Sequence, residues 1–459
     1  MLVPPALALP LRRLLLAPAL ASALAFALSA CERPPLDDVP PALEVLSPDL
    51  GDVLLNARLA LDLRVVAPGG AERLTVRGAE AVLDPVRQRY TAALELAPGL
   101  NVLPVEITVR SGAVTRDTLY AVYLPARSGR YTAAALPGGG RTGHAATSLD
   151  SQTALLSGGF DEAGAARADG VVVRTQGSLF GFEAVSTGTP RGGHTATRLP
   201  DGRVLLLGGA RAENPASAAQ LVLQTEVFDP ATGTTRAVAV SGEGVPRAFH
   251  TTEALTTPDG RFVLHVYGGR GVLPGGAFGT LSTVAILEWE PTADGGRLVT
   301  RTPAGGAGSF PPASGHAQAP LLGGGRPESL VAGLYTAAGP PVPVGFRFVY
   351  AAPGAQYPFN VTRREAARPR APRERATLTR LGEGLAVLAG GRDAEGRPVA
   401  FRELYAAGAD RYFRFPDAAD LVTPRSGHTA TPFAPARTLV AGGRDAQGRV
   451  LADLEILLR

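Results

Sequence analysis

Five of the chain's six histidines recur at one position of a repeated phrase, and imidazoles in register are a donor set from which metal sites are built. The phrase reads RTGHAAT at Arg141, RGGHTAT at Arg191, RAFHTTE at Arg247, ASGHAQA at Ala313, RERATLT at Arg373 and RSGHTAT at Arg425. It places His144, His194, His250, His316 and His428 at the same point, with Ala376 in the fifth phrase. A shared metal is nevertheless not expected. Metal–nitrogen bonds of about 2.0–2.1 Å require two ligating nitrogens within about 4 Å of each other, and equivalent positions on packed sheets lie about 10 Å apart. A position filled throughout the repeats has a job that the repeats share, such as a hydrogen bond from His to the backbone of the adjacent unit. His265, off the pattern and on a strand, reads as a core or edge residue.

Arginine recurs almost as regularly. Arg141, Arg191, Arg247, Arg373 and Arg425 stand three residues before the histidine position, and Arg270, Arg392 and Arg444 each follow a glycine pair. In an antiparallel unit, the loop entering strand one and the loop between strands two and three lie at the same end. All eight arginines are therefore a candidate binding face, suited to carboxylate or phosphate. The alternative, favoured here, is that they pair with acidic residues such as Glu226, Glu403 and Glu455 on third strands.

Enzymatic signatures do not accompany these residues. No sialidase-like Asp box, nucleophile elbow, HExxH or phosphate-binding loop occurs, no cofactor is expected, and the reading leans away from an enzyme. The 45 basic residues are all arginine, yet the formal net charge is only +4 and no basic block occurs, which sets nucleic acid aside as a partner. The pI near 9.4 follows from guanidinium groups that titrate far above neutrality.

The elements that must position these side chains are short strands. Gly (56) and Pro (40) make about a fifth of the 459 residues, alongside 45% hydrophobic and 6% aromatic residues. Fourteen residues after most of the repeated histidine positions comes a glycine pair: Gly158-Gly159, Gly208-Gly209, Gly390-Gly391 and Gly442-Gly443. The third repeat has Gly268-Gly269 after a longer hairpin, and the fourth has Ala332-Gly333. Successive repeats are 50, 56, 66, 60 and 52 residues apart, from position 144 to position 428.

Each unit carries small residues and Thr in its first strand, then an apolar run such as VLLLGG or LAVLAGG that suits a strand buried on both faces. This period and the terminal Gly-Gly resemble kelch repeats, in which each unit is one four-stranded propeller blade. The resemblance covers about 330 residues and is best in the second unit, where Glu226-Val227-Phe228-Asp229-Pro230 matches the kelch third strand and turn. Trp289-Glu290-Pro291 repeats that feature. The resemblance implies a six-bladed propeller over residues 127–459. LADLEILLR, at 451–459, reads as a third strand, and the missing fourth is expected from RYTAAAL at 130–136, so that Tyr131 to Ala135 pairs with Leu451 to Leu458. A copper oxidase resembling galactose oxidase would need a Tyr–Cys cofactor, and the sole cysteine, Cys31, lies elsewhere.

Residues 42–126 hold several alternating or β-rich runs, the pattern of a small β-sandwich. The stretch Leu96 to Val102, with Ser47-Pro48 near the start, resembles immunoglobulin-like modules of bacterial envelope proteins. The expected fold is thus all-β, an Ig-like sandwich followed by a six-bladed kelch-like β-propeller. Ahead of it, Arg12-Arg13, the apolar stretch LLLAPALASALAFALSA and Leu28-Ser29-Ala30-Cys31 resemble a lipoprotein signal (1–30) ending in a lipobox. That resemblance implies cleavage before Cys31 and its lipidation; 31–41 would be a Pro-rich tether.

These features predict a monomeric lipoprotein anchored in the cell envelope through Cys31, at the outer membrane rather than the inner. Its propeller would be a binding or scaffolding module for a protein or an acidic envelope polymer. The alternative is a carbohydrate epimerase or mutarotase of kelch architecture in the periplasm.

Overall fold

The computed structural model describes residues 40–458, apart from 68–69, 126–129, 134, 177–178, 242–245, 293–294, 302–309, 322–326, 336–341, 352–360 and 434–436. Cys31, the apolar leader and most of the tether lie outside the described residues. The chain is nearly all β and divides into two compact units. The smaller gathers residues up to Leu46, Leu61–Ala92 and Pro104–Asp117; the larger comprises Ser47–Ala60, Ala93–Leu103 and Thr118–Arg459.

Among the described residues, nine strands ahead of the repeats form two sheets. Ala42–Ser47, Arg58–Val66, Arg89–Glu95 and Val82–Asp84 form one sheet in that order, and Val53–Leu54, Val114–Tyr123, Gly99–Val109, Ala71–Val76 and Ala79–Glu80 form another. Arg89–Glu95 alternates strictly between exposed and buried residues, as a strand with one buried face must.

The repeats build the larger unit. Among the described residues, six sheets share one antiparallel order of four strands, in which the repeated phrase leads into the first strand; the third sheet adds Val240–Ser241, parallel to its fourth strand. The first is Ala145–Ser148, Thr153–Ser157, Asp169–Gln176 and Leu179–Ser186; the second is Thr195–Arg198, Val204–Leu207, Glu226–Asp229 and Thr234–Ala237. Second strands are buried along nearly their whole length, as at Val204–Leu207 and Phe262–Tyr267. Their side chains pack outward from both faces. Leu205, Leu207 and Val227 of the second sheet meet Phe262, Leu264, Leu287 and Trp289 of the third. Ala154, Leu156, Val171 and Val173 of the first sheet meet Leu439, Ala441, Leu454 and Ile456 of the sixth. First strands contact their neighbours from sheet one through sheet six and back to one, so the arrangement is a closed ring of propeller type.

Two features lock that ring. Arg130–Ala133 supplies the outer strand of the sixth sheet, pairing antiparallel with Leu454–Leu458 in the register Tyr131↔Ile456. The sheet built last in the chain is thereby completed by residues that precede the first, which removes an open edge. At the centre, six backbone hydrogen bonds run head to tail. Gly193 N donates to Gly143 O (2.7 Å), Phe249 N to Gly193 O (2.6 Å), Gly315 N to Phe249 O (2.9 Å), Arg375 N to Gly315 O (2.6 Å), Gly427 N to Arg375 O (2.9 Å) and Gly143 N to Gly427 O (2.7 Å).

Within the larger unit, residues of the N-terminal part touch the fifth sheet. Arg414 N donates to Gly51 O at 2.9 Å, and Val53 and Val122 share a core with Leu385, Leu404 and Phe413.

Candidate functional site

The repeated histidines are parts of the scaffold, though their partners differ from those expected. His144 Nε2 meets Thr429 Oγ1 at 2.9 Å, His250 meets Thr195 at 3.2 Å, His316 meets Thr251 at 2.8 Å and His428 meets Thr377 at 3.2 Å. Each hydroxyl belongs to the preceding sheet, on the residue after that sheet's own histidine position. The link is therefore side chain to side chain, not side chain to backbone. In the first repeat that residue is Ala145, and His194 reaches Ser157 instead at 2.9 Å. The fifth repeat has Ala376, and the residue it would have met is Ala317: donor and acceptor are missing together.

Burial holds all five imidazoles neutral. It lowers His144, His194 and His250 well below the ordinary histidine range, and His316 and His428 to about 3. Among the described residues, no group of three His, Cys, Asp or Glu side chains could hold a metal ion.

The eight candidate arginines separate into two sets. Arg141, Arg191, Arg373 and Arg425 are almost wholly buried and Arg247 is nearly so, so these five do not present a binding face; the favoured alternative, pairing with third-strand acids, holds at Arg191, Arg373 and Arg425. Each turns into its own sheet. Arg141 Nη1 donates to Gly158 O at 3.0 Å and Nη2 to Asp169 at 2.9 Å. Arg191 spans Gly208 O and Glu226, and Arg425 spans Gly442 O, Asp453 and Glu455. Arg373 pairs with Glu403 at 3.1 Å. Among the described residues Arg247 has no carboxylate partner and donates to Gly268 O and Thr283 O; burial lowers its pKa to about 10, and it remains charged at neutral pH. The carbonyl at the first glycine of the pair is a common acceptor for four of the five. The loop arginines are different: Arg270, Arg392 and Arg444 are only partly covered.

Arg270 and Arg392 line one cavity of about 290 Å³, with Glu213, Phe249, Thr280, Ser314, Glu374 and Arg375 also in its wall. A smaller one of about 120 Å³ lies at the axis, walled by the histidines and the inner ring of backbone residues. Phe249, Gly315 and Arg375 belong to both.

Sequence reasoning missed Phe249 and Arg375, which replace glycine in RxGH. Both keep the left-handed backbone that glycine adopts there, with φ of 58° and 52°. Such a conformation costs a side chain about 1–2 kcal/mol, and the ring of hydrogen bonds imposes it. Arg375 lies 4.9 Å above the Phe249 ring, and Phe249 stacks on Phe160 at 6.1 Å. The departures RAFH and RERA from the repeated glycine were the available signal.

Ion pairs organise the rest of this mouth. Arg375 Nη1 donates to Glu213 Oε1 at 2.8 Å and Arg444 Nη2 to Glu213 Oε2 at 2.7 Å, while Arg392 Nε donates to Glu374 at 2.5 Å. Arg270 has no carboxylate partner among the described residues; its guanidinium sits 5.0 Å over the Phe278 ring.

No protein-family model matches the chain, and no curated protein matches it. Among solved structures, YjhT aligns with 70% of this chain and 95% of its own length at 15% identity, with a TM-score of 0.49. A fungal alcohol oxidase of the AA5 family, in complex with copper, aligns with 92% of this chain and 76% of its own at 13% identity, with a TM-score of 0.42. No chemistry is carried across likenesses this distant.

Proposed function

We propose that this chain is a lipid-anchored recognition module of the cell envelope. Cys31 carries the anchor, residues 42–126 form an Ig-like spacer, and residues 127–459 form a six-bladed kelch-like propeller. Its loop face, at the end where the glycine pairs turn, binds an acidic protein or envelope polymer. The protein acts as a monomer, at the outer membrane rather than the inner.

One observation carries the reading: Arg270 stands on a cavity wall without a counter-charge among the described residues, while its neighbours Arg375 and Arg392 are each paired. A partly covered guanidinium without a carboxylate partner favours an arriving anion, because desolvation is then compensated by charge-assisted hydrogen bonds. The two carboxylates in the wall, Glu213 and Glu374, are both held by arginines. Neither presents a free base, so the isomerase alternative gains nothing from the site.

The test fractionates membranes carrying the full-length chain or its Cys31→Ser variant, washed at low and high salt. The lipidated protein should stay in the pellet at both. The variant should be held at low salt through the loop face and released at high salt, since the surface electrostatic attraction is screened. A variant that withstands the high-salt wash would show another mode of attachment. A wild type released by that wash would rule out a stable lipid anchor.

A further inference from the structure

The loop after the second glycine pair, Ala210 to Gln220, reaches far beyond its own sheet. Glu213 meets Arg375 and Arg444, residues 162 and 231 positions further on, from the fifth and sixth repeats. Its backbone N–H donates to Gly164 O at 3.0 Å, in a loop of the first repeat. Its carboxylate thus receives one guanidinium on each oxygen, the recognition geometry that a carboxylate ligand seeks. The side chain is 11% exposed, beside an open cavity of about 290 Å³.

Arg375 is not saturated by this contact. Among the described residues it uses one of its five side-chain N–H donors, the one directed to Glu213, and it lines the cavity together with the unpaired Arg270. A structural ion pair needs neither a cavity at its side nor a second cation left without a partner.

We propose that Arg375 and Arg444 form a binding site for the carboxylate of an external ligand, and that Glu213 is its internal occupant. The ligand is a small molecule or chain segment bearing one carboxylate and a second acceptor group. The carboxylate replaces Glu213 in the clamp and the second group reaches Arg270, a contact that Glu213 does not make. Displacement frees the Ala210–Gln220 loop. This deepens the reading of the loop face as a recognition surface and rests on it.

Glu213 competes from within the chain, so its removal should raise apparent affinity by the reciprocal of the fraction of time that the clamp stands open. The experiment compares the full-length Cys31→Ser protein with the same protein carrying Glu213→Gln. Calorimetry titrates each with two carboxylate probes, glucuronate and acetyl-Glu-Glu-amide, and with the neutral controls glucose and acetyl-Gln-Gln-amide. The expected result is a gain of about tenfold or more for at least one carboxylate probe in Glu213→Gln, none for the neutral controls, and loss of the gain when Arg444→Gln is added. Preference between the probes separates an acidic sugar from an acidic peptide as the source of the carboxylate.

Equal binding, or no binding, by two proteins that melt alike would overturn the proposal. Should Glu213→Gln fail to fold, limited trypsin digestion of the parent decides. Carboxylate probes, and not the controls, should speed cleavage after Arg211, an exposed residue of the loop; unchanged cleavage would count against displacement. Charge reversal at Arg270 and Arg392 tests the wider reading separately. If reversal abolishes envelope binding and Glu213→Gln gains nothing, the face stands and the internal-occupant idea falls.

Discussion

Gly208 occupies a left-handed conformation (φ +66°), and a Cβ there would lie 2.4 Å from the carbonyl oxygen of Arg247 on the next sheet. The following residue, Gly209, donates its N–H to that same oxygen at 2.8 Å. Both conformation and close approach require the glycine, so Gly208→Ala should destabilise the chain by at least about 2 kcal/mol. Gly448→Ala is the control, because Gly448 shares the left-handed φ (+79°) and has nothing within 4 Å; it should cost about 1 kcal/mol. Denaturant unfolding of the two variants measures the difference, and equal losses would mean that sheet-to-sheet contact contributes nothing. The glycine pairs were legible because spacing alone exposes them. The arginines were only half legible. Pairing of Arg191, Arg373 and Arg425 with Glu226, Glu403 and Glu455 was legible, but sequence spacing does not report depth, so the repeated arginines stood with the loop arginines as one candidate face. Glu213 was not legible, since its partners stand 162 and 231 residues away.

At the scale of the element, each sheet is tied to its neighbour by a histidine and a hydroxyl, except between the fourth and fifth sheets. Acid acts on this tie with a definite sign. Histidine in the unfolded chain titrates near 6.5, whereas burial keeps His316 and His428 unprotonated until about pH 3. Between those values the unfolded chain binds more protons, so stability is present above about pH 6.5 and is lost as pH falls. The slope is up to about 1.4 kcal/mol per pH unit for each such histidine. Glu253 opposes this, because burial raises its pKa to about 7, and its neutral form favours the fold as pH falls from there toward the ordinary carboxylate range. The five histidines outweigh it. Stability measured from pH 7 to pH 4 should therefore decline, and His428→Asn should decline less steeply by about one proton's worth. Parallel slopes would show that His428 is not held neutral. Strand character was readable from apolar runs such as Val204–Leu207. The hydroxyl partners were readable only in retrospect, from the threonine that follows His194, His250 and His428.

Across the whole molecule, the sequence pattern contained the ring closure, because a third strand at 451–459 and a spare strand at 130–136 called for each other. The register Tyr131↔Ile456 supplies it. What the pattern did not contain is the division of labour among like residues, since one arginine in five of the six repeats is buried in a sheet and others stand on the loops. We propose that Arg270 and Arg392 serve recognition, whereas Arg191 and its equivalents each brace their own sheet. The most direct measurement reverses Arg270 and Arg392 to Glu in the Cys31→Ser protein, then follows binding to isolated envelopes across a salt series beside thermal unfolding. Arg392 pairs with Glu374 on a partly exposed surface, so the loss of stability should be no more than about 1 kcal/mol per site. The expected result is a folded protein, melting close to its parent, that no longer binds envelopes at low salt. A protein that unfolds, or one that folds and binds as before, would contradict the claim.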